Sequence, residues 1–99
     1  MLLGDLIARF TDEAVAEEAI LSLGNLSLLA AARAQAHAEG LEPGAFAAAA
    51  TLRFASEAPD EEWTTLIGAL SRASDPGAVY LERALGYAIR AAARGNHPA

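Results

Sequence analysis

The sequence contains no cysteine and no lysine among its 99 residues. Without cysteine the chain can form no disulfide, no thiolate metal site and no cysteine nucleophile. Without lysine it can form no Schiff base, hold no pyridoxal phosphate and supply no P-loop lysine. The motifs Gly-x-Ser-x-Gly and Gly-x-Gly-x-x-Gly do not occur either. We therefore expect a protein that is not an enzyme and that uses no metal and no cofactor.

Positive charge is also scarce. Seven arginines face 13 acidic residues, which gives a net charge of −6. An acidic surface disfavours nucleic acid and anionic membranes and favours solubility. The longest uncharged run, residues 19–32, is shorter than the roughly 20 apolar residues that span a bilayer, and residues 1–5 lack the basic segment of a signal peptide. These features predict a cytoplasmic protein with no membrane partner.

Alanine is the residue that dominates the chain. It supplies 26 residues and leucine 14, whereas valine and isoleucine together supply six. Alanine and leucine lose little side-chain entropy in a helix, so this balance favours helical structure. Abundant alanine with arginine as the sole strong base is also what a GC-rich bacterial genome encodes.

Apolar residues recur at helical spacing in the first half of the chain. Residues 2–23 form either one helix or two, and Thr11 would be the N-cap of the second. After a break at Gly24, a helix is predicted from about Leu26 to Glu39. Gly40 then suits a left-handed residue just past a helix end.

The second half contains three more helical segments. Pro43 suits the first position of a helix over 43–57. A helix that starts after Pro59 has an acidic first turn, which complements the helix dipole. Its apolar stripe consists of Trp63, Leu66, Ile67 and Leu70. The last helix, about 76–94, is expected to bury Leu81, Ala84, Leu85, Ala88, Ile89 and Ala92.

These segments predict an all-α fold, a compact bundle of five or six short helices with orthogonal or up-down packing. We expect a single helical domain over residues 1–95 and a disordered C-terminal tail over 96–99. No window alternates over enough residues to indicate a strand.

The helix over 43–57 carries four consecutive alanines between two phenylalanines. Methyl side chains let two helix backbones approach closely. This helix could lie at the centre of the monomer, which we favour, or pack against its copy in a homodimer. A lone tryptophan is either a core anchor or an interface hot spot. The interface candidates are Phe46, Ala49, Ala50, Phe54 and Trp63.

Three arginines near one face of the last helix are a second candidate site. Arg83, Arg90 and Arg94 have Tyr87 between them, and an arginine–aromatic stripe can contact an anion or nucleic acid. The same arginines can equally pair with nearby carboxylates, which is the interpretation we favour.

The acidic and histidine residues predict no metal site. The carboxylates at 57 and 60–62 surround a helix start, where they complement the dipole. Neither His37 nor His97 completes the Glu-x-x-His pattern of a di-iron bundle.

One segment, residues 26–58, resembles the helix pair of ribbon-helix-helix antitoxin repressors. The resemblance is carried by Ala34 to Leu41, then Phe46, Ala50 and the pair Arg53-Phe54. In that family a short strand before the helix pair reads DNA with basic and polar residues. The corresponding residues here, 21–27, contain no basic residue, so no binding residue is carried over.

The leading hypothesis is a protein-interaction module or regulatory accessory protein that binds another protein and itself, as a homodimer. The first alternative is a DNA-binding regulator or antitoxin that uses the 26–58 helix pair, for which only Arg33 and Arg53 could begin a basic surface. The second alternative is a small carrier of apolar ligands, because small alanines could leave a pocket open.

Overall fold

Residues 3–95 are described by a computed structural model, and all of their regular structure is helical. The elements are α1 Leu3–Phe10, α2 Glu13–Ser22, α3 Leu26–Ala38, α4 Pro43–Glu57, α5 Asp60–Arg72 and α6 Pro76–Gly95. The described residues therefore confirm the predicted all-α bundle, with six helices joined by short loops. The tail predicted at 96–99 lies outside them.

The first two helices are separate. α1 ends at Phe10, and the carboxylate of Asp12 caps α2 by accepting hydrogen bonds from the backbone N–H groups of Ala14 at 2.9 Å and Val15 at 3.3 Å. The predicted cap at Thr11 was wrong by one residue. The Thr11 hydroxyl instead donates to the carbonyl oxygen of Ala8 at 2.6 Å, so it belongs to the end of α1.

The turn between α3 and α4 forms as its sequence predicts. Gly40 adopts a φ of 71°, in the left-handed region. The Leu41 N–H donates to the Ala36 carbonyl at 2.8 Å, and the Gly40 N–H donates to the His37 carbonyl at 3.1 Å. These two bonds form a Schellman motif, which satisfies carbonyl groups at the end of α3. Pro43 then begins α4.

The alanine-rich helix α4 lies at the centre of the fold. It packs against α1, α2, α3 and α6, while α5 packs on α6. Its buried residues are Gly44, Phe46, Ala47, Ala48, Ala50, Thr51 and Phe54. A side chain at Gly44 would collide with the backbone oxygen of Glu13 and would lie 3.1 Å from the Cβ of Glu17. The absence of a side chain at Gly44 therefore lets α4 approach α2 closely at this point.

The bundle interior is organised around Phe54. Its ring makes edge contacts with Trp63, Tyr80 and Tyr87, with ring centroids 5.3, 5.9 and 5.6 Å apart. Tyr80 is fully buried, although its place in the core was not predicted. Edge-to-face pairs of this kind contribute stability to a core in addition to the stability gained by burying apolar area.

The predicted core of the last two helices is largely correct, with one exception. Leu81, Ala84, Leu85 and Ala88 are buried in α6 as predicted, and Ile89 and Ala92 are partly buried. In α5, Leu66 is fully buried, but Ile67 is 60% exposed. The expectation for Ile67 was wrong because α5 packs mainly on α6, so a narrower stripe of the helix is covered than the sequence pattern suggests.

Candidate functional site

The structure divides the five interface candidates between the core and the surface. Phe46, Ala50 and Phe54 are buried within the monomer. These three side chains have no surface left to offer a partner, because neighbouring helices cover the faces of α4 to which they belong. Trp63 is half-buried against Phe54, and only Ala49 is exposed. An interface must therefore use other side chains than the phenylalanines of α4.

The arginines of α6 meet a carboxylate from α5. Arg83 Nη1 lies 3.1 Å from Glu62 Oε1, and Arg90 Nη2 lies 3.7 Å from Glu62 Oε2. Tyr87 lies between the two arginines in the sequence. Its hydroxyl donates a long hydrogen bond of 3.4 Å to the carbonyl oxygen of Glu57. Arg94 is exposed at the end of α6. One carboxylate thus contacts two of the three arginines predicted as an anion contact and offsets one of their two positive charges.

A groove of about 250 Å³ runs beside this cluster. It is lined by Ala69, Val79, Glu82, Arg83, Gly86 and Arg90. Two arginines and Glu82 line the groove, and Glu62 contacts both arginines, so the formal charges around the groove balance. The groove therefore has mixed polarity and no surplus of positive charge with which to attract an anion.

A second groove, of about 320 Å³, lies between α1, α2 and the start of α6. Arg9, Glu18 and Asp75 supply its charged lining. Asp75 Oδ1 already accepts a hydrogen bond from the Ala78 N–H at 3.2 Å, so the start of α6 is capped by its own chain.

A third groove is a shallow depression of only about 10 Å³, with both apolar and charged lining residues, and lies where α2, α3 and the start of α4 meet. We call it the leucine groove; its lining consists of Glu17, Ile20, Leu21, Leu29, Arg33 and Pro43. Leu21 is 57% exposed at its edge. Leu26, which precedes Leu29 by one helical turn, is 77% exposed. Two of the most exposed large apolar side chains in the described chain are therefore a lining residue of the groove, Leu21, and a residue one helical turn from its lining, Leu26.

The candidate metal ligands within residues 3–95 are histidine and acidic side chains. No group of three or more histidine or acidic side chains there is arranged to hold a metal ion. His37 is exposed in the last turn of α3. In the same part of the chain, no helix combines the length and apolar character needed to cross a bilayer.

The basic residues of the predicted DNA-binding alternative are on the surface. Arg53 Nε lies 3.3 Å from Glu57 Oε1 on the same helix, and Arg33 is exposed beside the leucine groove. Residues 21–27, where the ribbon-helix-helix family has its strand, form the end of α2, a turn and the start of α3. Residues 21–27 therefore lack the strand with which that family reads DNA.

Comparison with family models, curated proteins and solved structures found no match to this chain.

Leu21 and Leu26 are the surface residues that sequence reasoning missed. The sequence did contain a signal of their exposure. Leu21 follows Ile20 directly and therefore lies outside the inward apolar stripe of α2. Leu26 is the first residue of α3, where few neighbouring side chains can cover it. Periodicity alone could not show which of the closely spaced leucines in residues 21–29 would be left exposed.

Proposed function

We propose that this protein is a helical interaction module that binds other protein chains and itself, as a homodimer. The observation that carries the proposal is the exposure of two leucines, Leu21 at 57% in the lining of the leucine groove and Leu26 at 77% one helical turn from that lining. Burying apolar surface contributes about 25 cal/mol per Å². Single exposed leucines are ordinary, but apolar residues grouped around a groove are typical of binding surfaces.

The outer face of α4 supports the proposal as a second surface. Ala45, Ala49, Leu52 and Ser56 follow one another at helical spacing, and all but Ala45 are exposed. Ala49 thus keeps its place among the predicted interface residues. Its small side chain would let a partner helix approach the backbone of α4.

The oligomeric state tests the proposal directly. Size-exclusion chromatography with light scattering, run on the intact chain at about 10 µM and above, should give twice the mass of one chain, because interfaces of typical size associate in the micromolar range or tighter. A chain that stays monomeric throughout that range would overturn the homodimer.

The DNA-binding alternative stays a prediction, and one experiment separates it from the proposal. Arg33, an exposed basic residue of the helix pair, lines the leucine groove. Retention on heparin or random-sequence DNA that falls steeply with salt would favour that alternative, because phosphate contacts release counterions. The interaction module is expected to elute without retention.

A further inference from the structure

The leucine groove has walls of opposite charge. Glu17 belongs to α2 and Arg33 belongs to α3, and both line the groove together with Ile20, Leu21 and Leu29. Both charged side chains are exposed. The ion pairs found in residues 3–95 involve other arginines, namely Arg53, Arg83 and Arg90. Glu17 and Arg33 therefore keep their charges available at the groove.

Such a surface is complementary to itself. When two copies meet face to face across a two-fold axis that runs along the groove, the α2 wall of each copy lies against the α3 wall of the other. An interface with this symmetry makes each contact twice, with the roles of the two copies exchanged. The same operation brings the apolar linings together, and it places each acidic wall against a basic one.

We propose that a second copy of this chain covers the leucine groove, with Glu17 of each copy facing Arg33 of the other. The inference rests on the proposed self-association and names the surface that performs it. The whole chain carries a net charge of −6, so an interface that sets acidic side chains against basic ones lowers the repulsion between two copies. The exposed Leu26 side chain extends the apolar contact along α3.

A charge exchange tests the pairing. E17R and R33E should each weaken the dimer, raising its dissociation constant about tenfold or more, because each substitution sets two like-charged pairs across the axis. The double variant E17R/R33E restores opposite charges, so its dissociation constant should return to within about threefold of the original. Sedimentation equilibrium measures all four chains.

Net charge needs its own control, because E17R and R33E change it by two units in opposite directions. E61R and R72E make the same changes at exposed positions of α5, a helix that packs on α6 away from the groove. Their dissociation constants should stay within about threefold of the original. If the α5 variants weaken the dimer as much as the groove variants, or if the double variant fails to recover, the proposed pairing is wrong.

An apolar substitution tests the surface independently of the charges. L26E should raise the dissociation constant about 30-fold, the effect of losing an interface hot spot. Leu26 is exposed and starts α3, where a carboxylate suits the helix dipole, so the fold should persist. I67E is the matched control, because Ile67 is similarly exposed on α5.

The outcomes separate this inference from the proposed function. A dimer that L26E and the charge variants leave unchanged overturns the leucine groove as its interface, while self-association itself stands. A chain that is monomeric before any substitution overturns both. Circular dichroism of each variant confirms that a lost dimer reflects the surface and not unfolding.

Discussion

The phenolic hydroxyl of Tyr80 donates a hydrogen bond of 2.6 Å to the backbone carbonyl oxygen of Thr51. Both residues are fully buried, so this bond links α6 to the central helix α4 inside the core. The Thr51 hydroxyl donates in turn to the Ala48 carbonyl oxygen at 2.8 Å. Buried polar groups need such partners, because an unpaired one loses its hydration without compensation.

Removing the Tyr80 hydroxyl should destabilise the fold. Y80F is expected to lower the free energy of unfolding by about 1–1.5 kcal/mol, the usual net contribution of an internal hydrogen bond. Urea denaturation followed by circular dichroism measures the change. Y87F is the control, because the Tyr87 hydroxyl makes a longer bond of 3.4 Å on a half-buried side chain. Its effect should stay below about 0.5 kcal/mol; equal losses in the two variants would contradict a special role for Tyr80.

Stability should fall at alkaline pH through the same residue. Burial raises the pKa of Tyr80 to about 12, above its ordinary value near 10. The folded chain then holds the phenolic proton more tightly than the unfolded chain does. This contribution is fully present below pH 10 and is lost as the pH rises towards 12, at a slope of up to roughly 1.4 kcal/mol per pH unit. Denaturation midpoints measured across that window should decline less in Y80F than in the original chain; parallel declines would argue against the shifted pKa.

Two glycine substitutions should have opposite effects. G44A places a methyl group against the Glu13 backbone in the contact between α2 and α4, so it should destabilise the chain by about 1–3 kcal/mol. G68A lies within α5, where an added Cβ meets only Arg72 Nη1 at 3.8 Å. It should stabilise the chain by about 0.5–1 kcal/mol, because alanine loses less backbone entropy than glycine in a helix. Thermal unfolding compares the two, and a stabilising G44A would show that α2 and α4 are less closely packed than described.

The carboxylate of Glu62 should contribute little to stability despite its two arginine partners. E62Q is expected to lower the free energy of unfolding by less than about 1 kcal/mol, because Arg83, Arg90 and Glu62 are all partly exposed to solvent. E61Q removes a neighbouring charge from the same first turn of α5, so the difference between the variants isolates the arginine contacts from the helix dipole. That difference should shrink in high salt, and a difference that persists undiminished would point to a contact more buried than the structure shows.

The positions of the helices were predictable from local residues. Pro43 and Gly40 marked the turn between α3 and α4, because proline suits a helix start and glycine tolerates a positive φ. The break between α1 and α2 was ambiguous, since no proline or glycine marks it. The carboxylate of Asp12 decides it by capping α2.

The candidate site was less predictable than the fold. The phenylalanines of α4 were reasonable interface candidates, but the structure surrounds α4 with four helices and buries them. The leucine groove combines side chains from three separate elements. No spacing within one helix could have predicted that Glu17 and Arg33 would stand on opposite walls of one groove.

The amino-acid sequence by itself determined that the chain is helical and where most helices begin and end, because caps, prolines, glycines and alanine propensity act over a few neighbouring residues. Only the tertiary structure decided which apolar residues are covered. Phe54 lies at the centre of the core and Leu26 is exposed. The burial of a side chain depends on which helices pack against its own helix, and the packing of the whole chain determines those neighbours.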